Sequence, residues 1–147
     1  MSEPGSRAAA LTELSDFPTR LATASRAAAS RPVEDGEWTP EQVVRHLVAV
    51  ERQVHQGRLR DLDAEAEARW SWTEPGPWTG EPGLDLEGVL ARFAVARETT
   101  LATLAGLDDA GWERAGTHET FGRLDVDGLV KNAIDHDAEH LGGLTTT

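Results

Sequence analysis

The chain has 147 residues, a formal net charge of −12 and no cysteine, a size that predicts one domain over residues 1–147. Such a negative charge disfavours nucleic acid and anionic membrane surfaces as partners, because phosphate groups repel it. The lack of cysteine excludes disulfides, thiolate ligands and a thiol nucleophile, so any bound metal must be held by nitrogen and oxygen atoms.

The N-terminal part of the chain is predicted to form two short helices. Residues 7–15 fit the first of them. Pro18 suits the first turn of the second, with Asp16 available as its cap. A stretch rich in charge, proline and glycine at residues 30–37 then ends this part of the chain.

The clearest helix start lies at Thr39, which is followed by a proline and, three residues later, by Gln42. This pattern is typical of a capping box, and the helix is predicted to continue to about residue 68. At about 100° per residue, His46 lies on the border of the apolar stripe, whereas His55 falls on the opposite side. We therefore expect His46 to point into a bundle and His55 to lie on the surface.

Residues 70–84 hold three tryptophans, three prolines and three glycines. This composition excludes a regular helix and predicts a structured loop, and loops of this length often line sites. Its tryptophans are more often the small core of such a loop than a platform for substrate.

The next long helix follows Asp85, with leucines and Phe93 at helical spacing. Arg97 lies in the middle of this apolar stripe, where a lone charge would be costly to bury. It needs an acidic partner, and Asp137 is the first candidate, with Glu51 as the competing one.

Residues 107–124 are predicted to form a second loop, which carries His118. That histidine is the one candidate for a catalytic proton shuttle, although a loop histidine facing solvent is the commoner case. Asp125 is expected to cap a final helix, which should be short because Gly142 and Gly143 follow soon after its last histidine. No segment alternates convincingly with period two, so the chain is predicted to be an all-α four-helix bundle with long loops.

His136 and His140 stand one helical turn apart in the run HDAEH, so both imidazoles face the same side of the last helix. Peptidase chemistry is not indicated, because the glutamate that follows the first histidine in metalloprotease helices is absent. If His46 joins the pair, three imidazoles leave a coordination position open, as in catalytic sites. On the residues alone, two histidines that merely share a helix face are the alternative.

The segments EWTPEQVVRHLVAVE, FAVARETTLATLAGL and DHDAEHL together resemble the DinB-like superfamily over roughly residues 18–144. This superfamily includes mycothiol-dependent and bacillithiol-dependent S-transferases and a mycothiol-dependent isomerase of maleylpyruvate. The resemblance implies an up-down-down-up four-helix bundle, a homodimer, and a divalent metal held by His46, His136 and His140.

Three hypotheses follow for function. The first is a cytoplasmic enzyme whose metal activates a low-molecular-weight thiol, or water, to attack a small electrophile. The second is a non-catalytic bundle that binds a metal or ligand and acts as a sensor or dimeric scaffold, and the third is a bundle whose histidines are idle. Zinc is the default metal, although nickel, cobalt and iron(II) also suit three imidazoles.

Overall fold

Six helices and three short strands make up residues 4–145, which the computed structural model describes. The helices are α1 (Pro4–Ala29), α2 (Pro40–Val50), α3 (Gln56–Ala64), α4 (Leu86–Ala105), α5 (Asp109–Glu113) and α6 (Val126–Thr145). A π-helical turn, Glu51–His55, connects α2 to α3, and the strands are β1 (Arg69–Trp70), β2 (Ala115–His118) and β3 (Gly122–Asp125). Helix α1 packs on α4 and α6, and α2 packs on α4, which gives the predicted four-helix bundle. None of the described helices is long and apolar enough to cross a bilayer.

Two clusters of buried apolar side chains form the core. One lies between α1, α2 and α4 and is built of Phe17, Leu21, Ala24, Ala28, Val44, Leu47, Val48, Val89, Leu90, Phe93 and Leu144. The other lies towards the opposite end and is built of Leu14, Leu62, Ala68, Leu104, Trp112, Val126, Leu129, Val130 and Ala133. The three predicted ligand histidines lie on α2 and α6, so the packed interior of the bundle holds their backbones in place.

The helix starts predicted at Thr39, Asp85 and Asp125 are confirmed. Thr39 accepts a hydrogen bond from the Gln42 backbone while the Gln42 side chain accepts one from the Thr39 backbone, as a capping box requires. Helices α4, α5 and α6 all begin with the sequence Leu-Asp-x-x-Gly, in which the aspartate accepts a hydrogen bond from the glycine N–H. A Cβ at Gly128 would lie 3.1 Å from the Leu124 side chain. This glycine therefore lets Leu124 pack over the start of α6.

The prediction of two short N-terminal helices is wrong, because α1 runs through Pro18 without a break. Proline has no N–H, so it cannot bond to the carbonyl of Leu14 one turn earlier. That carbonyl instead accepts a hydrogen bond from the buried Arg97 guanidinium at 2.9 Å. A tertiary contact thus uses the acceptor that the proline leaves free, and the helix continues.

The expected surface position of His55 is also wrong. The Gln56 N–H bonds to the Glu51 carbonyl, so the turn between them is π-helical and holds one residue more than an α-helical turn. The extra residue rotates everything after it by about 100°. His55 therefore turns inward, where its ring lies 6.2 Å from that of His136 and lines a small internal cavity. Helix α3 then ends at Ala64, four residues before the predicted end.

Part of the predicted loops folds into a small sheet, which adds to the helical bundle. Strand β2 pairs parallel to β1 and antiparallel to β3, so the order is β1-β2-β3. Strands of two to four residues are too short to show a period in the sequence. Trp70 packs over Gly116 in this sheet and donates its indole N–H to Asp61. Trp78 packs on the core, whereas Trp72 is 58% exposed.

The predicted early end of the last helix is wrong as well. Helix α6 continues through Gly142 and Gly143 to Thr145 and is 20 residues long, the same length as α4. Leu144 is buried against the core, and its carbonyl accepts a hydrogen bond from Arg31. Tertiary contacts on either side of the helix therefore outweigh the low helical propensity of two adjacent glycines.

Arg97 is buried in the middle of the bundle and binds both of its candidate partners. Its Nε and Nη2 donate to the two carboxylate oxygens of Glu51 at 3.0 and 2.9 Å. Its Nη2 and Nη1 also contact the two oxygens of Asp137, each at 3.0 Å. With the Leu14 carbonyl, which accepts a hydrogen bond from Nη1, five acceptor atoms surround the guanidinium. The prediction of a buried ion pair is confirmed, and the pair is a triad.

Candidate metal centre

Helix α6 brings His136 and His140 together on one face. Their Nε2 atoms lie 3.2 Å apart, and their ring centroids are 4.5 Å apart. The spacing of four residues predicts this proximity, because such residues are stacked one turn apart. Both side chains are partly buried, and they face α2 across the bundle.

His46 of α2 completes the group of three predicted residues. It is fully buried, and its ring lies 4.7 Å from that of His140 and 5.4 Å from that of His136. Its Nδ1 lies 2.7 Å from the carbonyl oxygen of Pro75. A carbonyl can only accept, so Nδ1 carries the proton and Nε2 presents its lone pair to the other two histidines.

The structure adds Glu74, which the sequence did not indicate. Its Oε1 lies 3.0 Å from Nε2 of His46 and 3.6 Å from Nε2 of His136. One ligand atom from each of the four residues lies within 4.8 Å of the others. Glu74 belongs to the tryptophan-rich loop, where no periodicity predicts the direction of a side chain, so the composition of the loop was its sole signal.

Arg45 holds that loop against α2. Its guanidinium is buried and donates hydrogen bonds to the carbonyl groups of four loop residues, Trp78, Gly80, Glu81 and Leu84. The Arg45 carbonyl in turn accepts a hydrogen bond from the Trp78 N–H at 3.0 Å. His46, the next residue in the chain, bonds to Pro75. Two consecutive residues of α2 therefore fix the position of the loop and of Glu74.

The four side chains fit a divalent metal. Ligand atoms around a tetrahedral ion are about 3.3 Å apart when metal–ligand distances are about 2.0–2.1 Å, and the contacts here are 3.0, 3.2 and 3.6 Å. Nε2 of His46 is buried and makes no hydrogen bond among the described residues, although Glu74 is near it. Nε2 of His46 and Oε1 of Glu74 are therefore 3.0 Å apart without a hydrogen bond between them. Two ligand atoms of one metal ion have the same relation to each other. Three imidazole nitrogens and one carboxylate oxygen suit zinc or nickel.

Burial favours the unprotonated form of the two histidines of α6. Burial, with smaller contributions from the two neighbouring imidazoles, lowers the pKa of His140 to about 4. Burial also lowers the pKa of His136, against the opposing effect of Glu74. Imidazole binds metal as the neutral base, so both residues are available as ligands at neutral pH without first losing a proton.

Outside the cluster, a surface cleft of about 780 Å³ adjoins His140. Trp38, Val43 and Leu144 give it apolar walls, and Glu139 lies at its edge. The Trp38 ring is 4.9 Å from that of His46, so the cleft and the histidines share a wall. A small molecule in this cleft would therefore lie beside His140 of the candidate metal site.

His118, the candidate proton shuttle, makes no ring or polar contact with His46, His136 or His140 among the described residues. It lies in β2, is 1% exposed, and its Nδ1 accepts hydrogen bonds from the Thr120 and Phe121 N–H groups. These bonds close the hairpin between β2 and β3. Its geometry is that of a buried residue that stabilises a turn rather than one that faces solvent.

Comparison with known proteins agrees with this architecture. The sequence profile of the DinB superfamily matches residues 9–144. Among solved structures, YfiT from Bacillus subtilis, described as a probable metal-dependent hydrolase with an unusual four-helix bundle topology, superposes with a TM-score of 0.75. It is 20% identical, and the match covers 99% of this chain and 87% of YfiT. No match was found among curated proteins.

Proposed function

This chain belongs to the DinB superfamily, and from that premise and the geometry of its histidines we propose that it is a divalent-metal-dependent enzyme. The metal, by default zinc with nickel or iron as alternatives, would be held by His46, His136 and His140. The enzyme would activate a low-molecular-weight thiol, or water, for attack on a small electrophile. The observation that carries the proposal is the convergence of three Nε2 atoms on one point, where Nε2 of His46 has no hydrogen bond within the described chain.

The chemistry needs a nucleophile at neutral pH and a group that takes its proton. A divalent metal bound here would lower the pKa of a water ligand to near 7, about the working pH, and would hold a thiol ligand as its thiolate. Glu74 presents a carboxylate oxygen within 3.6 Å of two of the histidines, so we assign it as the acceptor of that proton. In S-transfer the sulfur bonds to the electrophilic carbon, and the leaving group departs with the electrons of the broken bond. With water the same steps give hydrolysis.

The side chains that line the cleft beside His140 suggest which class of substrate the enzyme would bind. Its apolar walls, formed by Trp38, Val43 and Leu144, suit the body of a hydrophobic electrophile. Three carboxylates, Glu34, Glu37 and Glu139, and one cation, Arg31, also line it, and this negative balance disfavours an anionic molecule there. We therefore propose an uncharged or cationic electrophile.

The proposal is tested by metal analysis followed by an activity screen. Protein purified without a histidine tag should contain close to one equivalent of divalent metal. Loss of electrophiles of graded charge is then measured with and without a small thiol, in metal-loaded and metal-stripped protein. Turnover that needs both metal and thiol supports S-transfer, and turnover that needs metal alone supports hydrolysis.

The strongest control is Glu74→Gln, which keeps the size and polarity of the side chain but removes its charge. If Glu74 accepts the proton, this variant should retain metal and lose most of its turnover, about 100-fold or more. If metal-loaded protein consumes no electrophile of the panel while metal raises its melting temperature, the enzyme proposal is overturned.

Glu74 also gives the alternative function its support. Structural zinc sites are closed by four protein ligands, whereas catalytic sites keep a position for water or substrate. If Glu74 stays bound as a fourth ligand, the protein is a metal-stabilised binding module or scaffold. Its side chain is 43% exposed, in contrast to the fully buried His46. That exposure favours a carboxylate that can leave the site, and hence the enzyme.

The homodimer remains a proposal that rests on the resemblance to DinB-like proteins. Sedimentation equilibrium of the tag-free protein tests it, since a mass twice that of the 15.9 kDa chain is expected. A single species at the monomer mass across the concentration range would contradict it.

A further inference from the structure

A groove of about 320 Å³ lies between α3 and the start of the tryptophan-rich loop, separate from the metal cluster. Arg58, Arg60 and Arg69 line it, together with Trp70 and Thr73. Its size is within the range of small-molecule sites, about 300–1,000 Å³. The groove therefore combines three guanidinium groups with an aromatic ring in a space that a small ligand fills.

Like Arg20, Arg31, Arg52 and Arg123, these three arginines form no ion pair among the described residues, and they differ from those four in sharing one groove. The chain has 26 acidic and 14 basic residues, so acidic groups are abundant. Among the described residues, none of the three forms an ion pair, whereas Arg7, Arg26, Arg45, Arg92, Arg97 and Arg114 all do. Three unpaired guanidinium groups in one groove produce a local positive field on a strongly negative protein.

One carboxylate, that of Asp61, also lines the groove, so the groove holds three cations against one anion. The Asp61 carboxylate accepts a hydrogen bond from the Trp70 indole at 3.0 Å and attracts the Arg58 guanidinium without forming an ion pair with it. The Arg58 guanidinium carbon lies 5.8 Å from the centre of the Trp70 ring. Gly57 has no side chain, so the Arg60 guanidinium can lie over the surface of α3 at that position. A Cβ on Gly57 would be 3.9 Å from Nη2 of Arg60.

We propose that this groove is a binding site for a small molecule that carries a carboxylate or phosphate group. The arginine fork donates two parallel hydrogen bonds to either kind of oxyanion, and Trp70 offers a flat apolar wall beside it. The acidic cleft beside His140 suits the opposite charge, so the two sites would accept different molecules or different ends of one. Thr73 of the groove directly precedes Glu74 of the metal cluster, which places the anion next to the loop that carries that carboxylate. The site does not depend on the metal.

The test uses the indole signals in nitrogen-15 NMR spectra of the full chain, in which five tryptophans give five resonances. Trp70→Phe assigns the one that belongs to the groove. Inorganic phosphate and succinate are titrated separately at constant ionic strength, with sodium chloride as the reference salt. A saturable shift of the Trp70 indole is expected with at least one oxyanion, while Trp38 stays unchanged. A response to phosphate alone identifies a phosphate site, and a response to succinate alone identifies a carboxylate site.

Variants decide whether the arginines cause the binding. Arg60→Gln with Arg69→Gln changes two exposed residues and should weaken oxyanion binding about ten-fold or more. Arg26→Gln with Arg114→Gln removes the same charge from exposed positions outside the groove and should leave the affinity unchanged. Arg58→Lys keeps the charge but loses the fork, and should also weaken binding. The proposal is overturned if no oxyanion gives a saturable Trp70 shift, or if both double variants weaken binding equally.

Discussion

Two polar clusters meet at helix α6, which contributes Asp137 to one and His136 and His140 to the other, and they differ in how many of their buried polar atoms have a partner. Arg97, Glu51 and Asp137 form a triad in which the guanidinium makes four hydrogen bonds and both oxygens of each carboxylate lie within 3.0 Å of a guanidinium nitrogen. The histidine cluster begins one residue before Asp137, yet the buried Nε2 of His46 and Nδ1 of His136 make no hydrogen bond among the described residues.

The difference separates a structural group from a functional one. Burying an unpaired polar atom costs about 1–3 kcal/mol, so a cluster that leaves such atoms has a reason other than stability. The triad is complete within the protein and can contribute to the fold alone. In the histidine cluster, the buried Nε2 of His46 gains a partner only when a further group binds its lone pair. Each prediction below tests this contrast.

The largest expected effect is on the incomplete cluster. His140→Ala should abolish metal retention and turnover but leave helix content unchanged, because leucine and valine supply the core. Metal at about 100 times its dissociation constant should stabilise the wild type by about 2.7 kcal/mol, and this gain should vanish in the variant. Calorimetric metal titration and thermal unfolding measure both effects. Equal metal affinity in the variant and the wild type would contradict the assignment.

The complete cluster should respond in the opposite way. Arg97→Ala leaves two buried carboxylates without a cation and should destabilise the protein by about 3–5 kcal/mol, with or without metal. Urea unfolding measures the loss. Arg26→Ala is the matched control, because it breaks an arginine–glutamate pair that is 58% exposed on both sides, and it should have little effect. Unchanged stability of Arg97→Ala would show that the triad is not structural.

Between these two cases lies Arg45, which touches no ligand atom but holds the loop whose Pro75 carbonyl orients the His46 ring. Arg45→Gln removes four hydrogen bonds to loop carbonyl groups and should weaken metal binding about 10-fold to 100-fold, as loss of an outer-shell partner does. Arg92→Gln is the control, since Arg92 binds Glu81 of the same loop in an exposed pair. If both variants lower the affinity by the same factor, Arg45 has no special role in positioning the loop.

The smallest effect is a pH dependence of the metal-free protein. Burial lowers the pKa of both His55 and His140 to about 4, whereas these residues titrate near 6.5 in an unfolded chain. Between these values the unfolded state binds more protons, so the free energy of unfolding should rise as pH rises from about 4 to about 6.5. Asp137 opposes this trend up to its own pKa, which burial raises to about 6. Urea midpoints across this range provide the measurement, and metal-free His55→Ala with His140→Ala should show a flatter profile.

The sequence predicts the parts of the fold and site that depend on local pattern. The capping box at Thr39 and the aspartate caps at Asp85 and Asp125 are set by residues within one turn. The spacing of His136 and His140 places both on one face, and helical phase places Arg97 inside. Each of these features depends on a regular helix whose period is fixed by its backbone.

The remaining features depend on contacts between distant residues. The inward position of His55 results from one extra residue in the π-helical turn. The hydrophobic periodicity of the sequence does not predict such a residue. Helix α1 passes through Pro18 because Arg97, far along the chain, bonds to the freed carbonyl. Glu74 is placed by Arg45 and His46 through hydrogen bonds to the backbone of an irregular loop. Every residue has a backbone carbonyl, so the sequence does not indicate which carbonyls will accept a hydrogen bond from a distant side chain.

X-ray absorption at the zinc edge of the tag-free, zinc-loaded protein tests the central claim most directly, because it reports the atoms that surround the metal. We expect three imidazole nitrogens and one oxygen at about 2.0–2.2 Å. In His140→Ala the imidazole scattering should be lost or fall by at least a third. A shell of oxygen atoms alone in the wild type, or an unchanged imidazole pattern in the variant, would contradict the assignment of these histidines as the metal site.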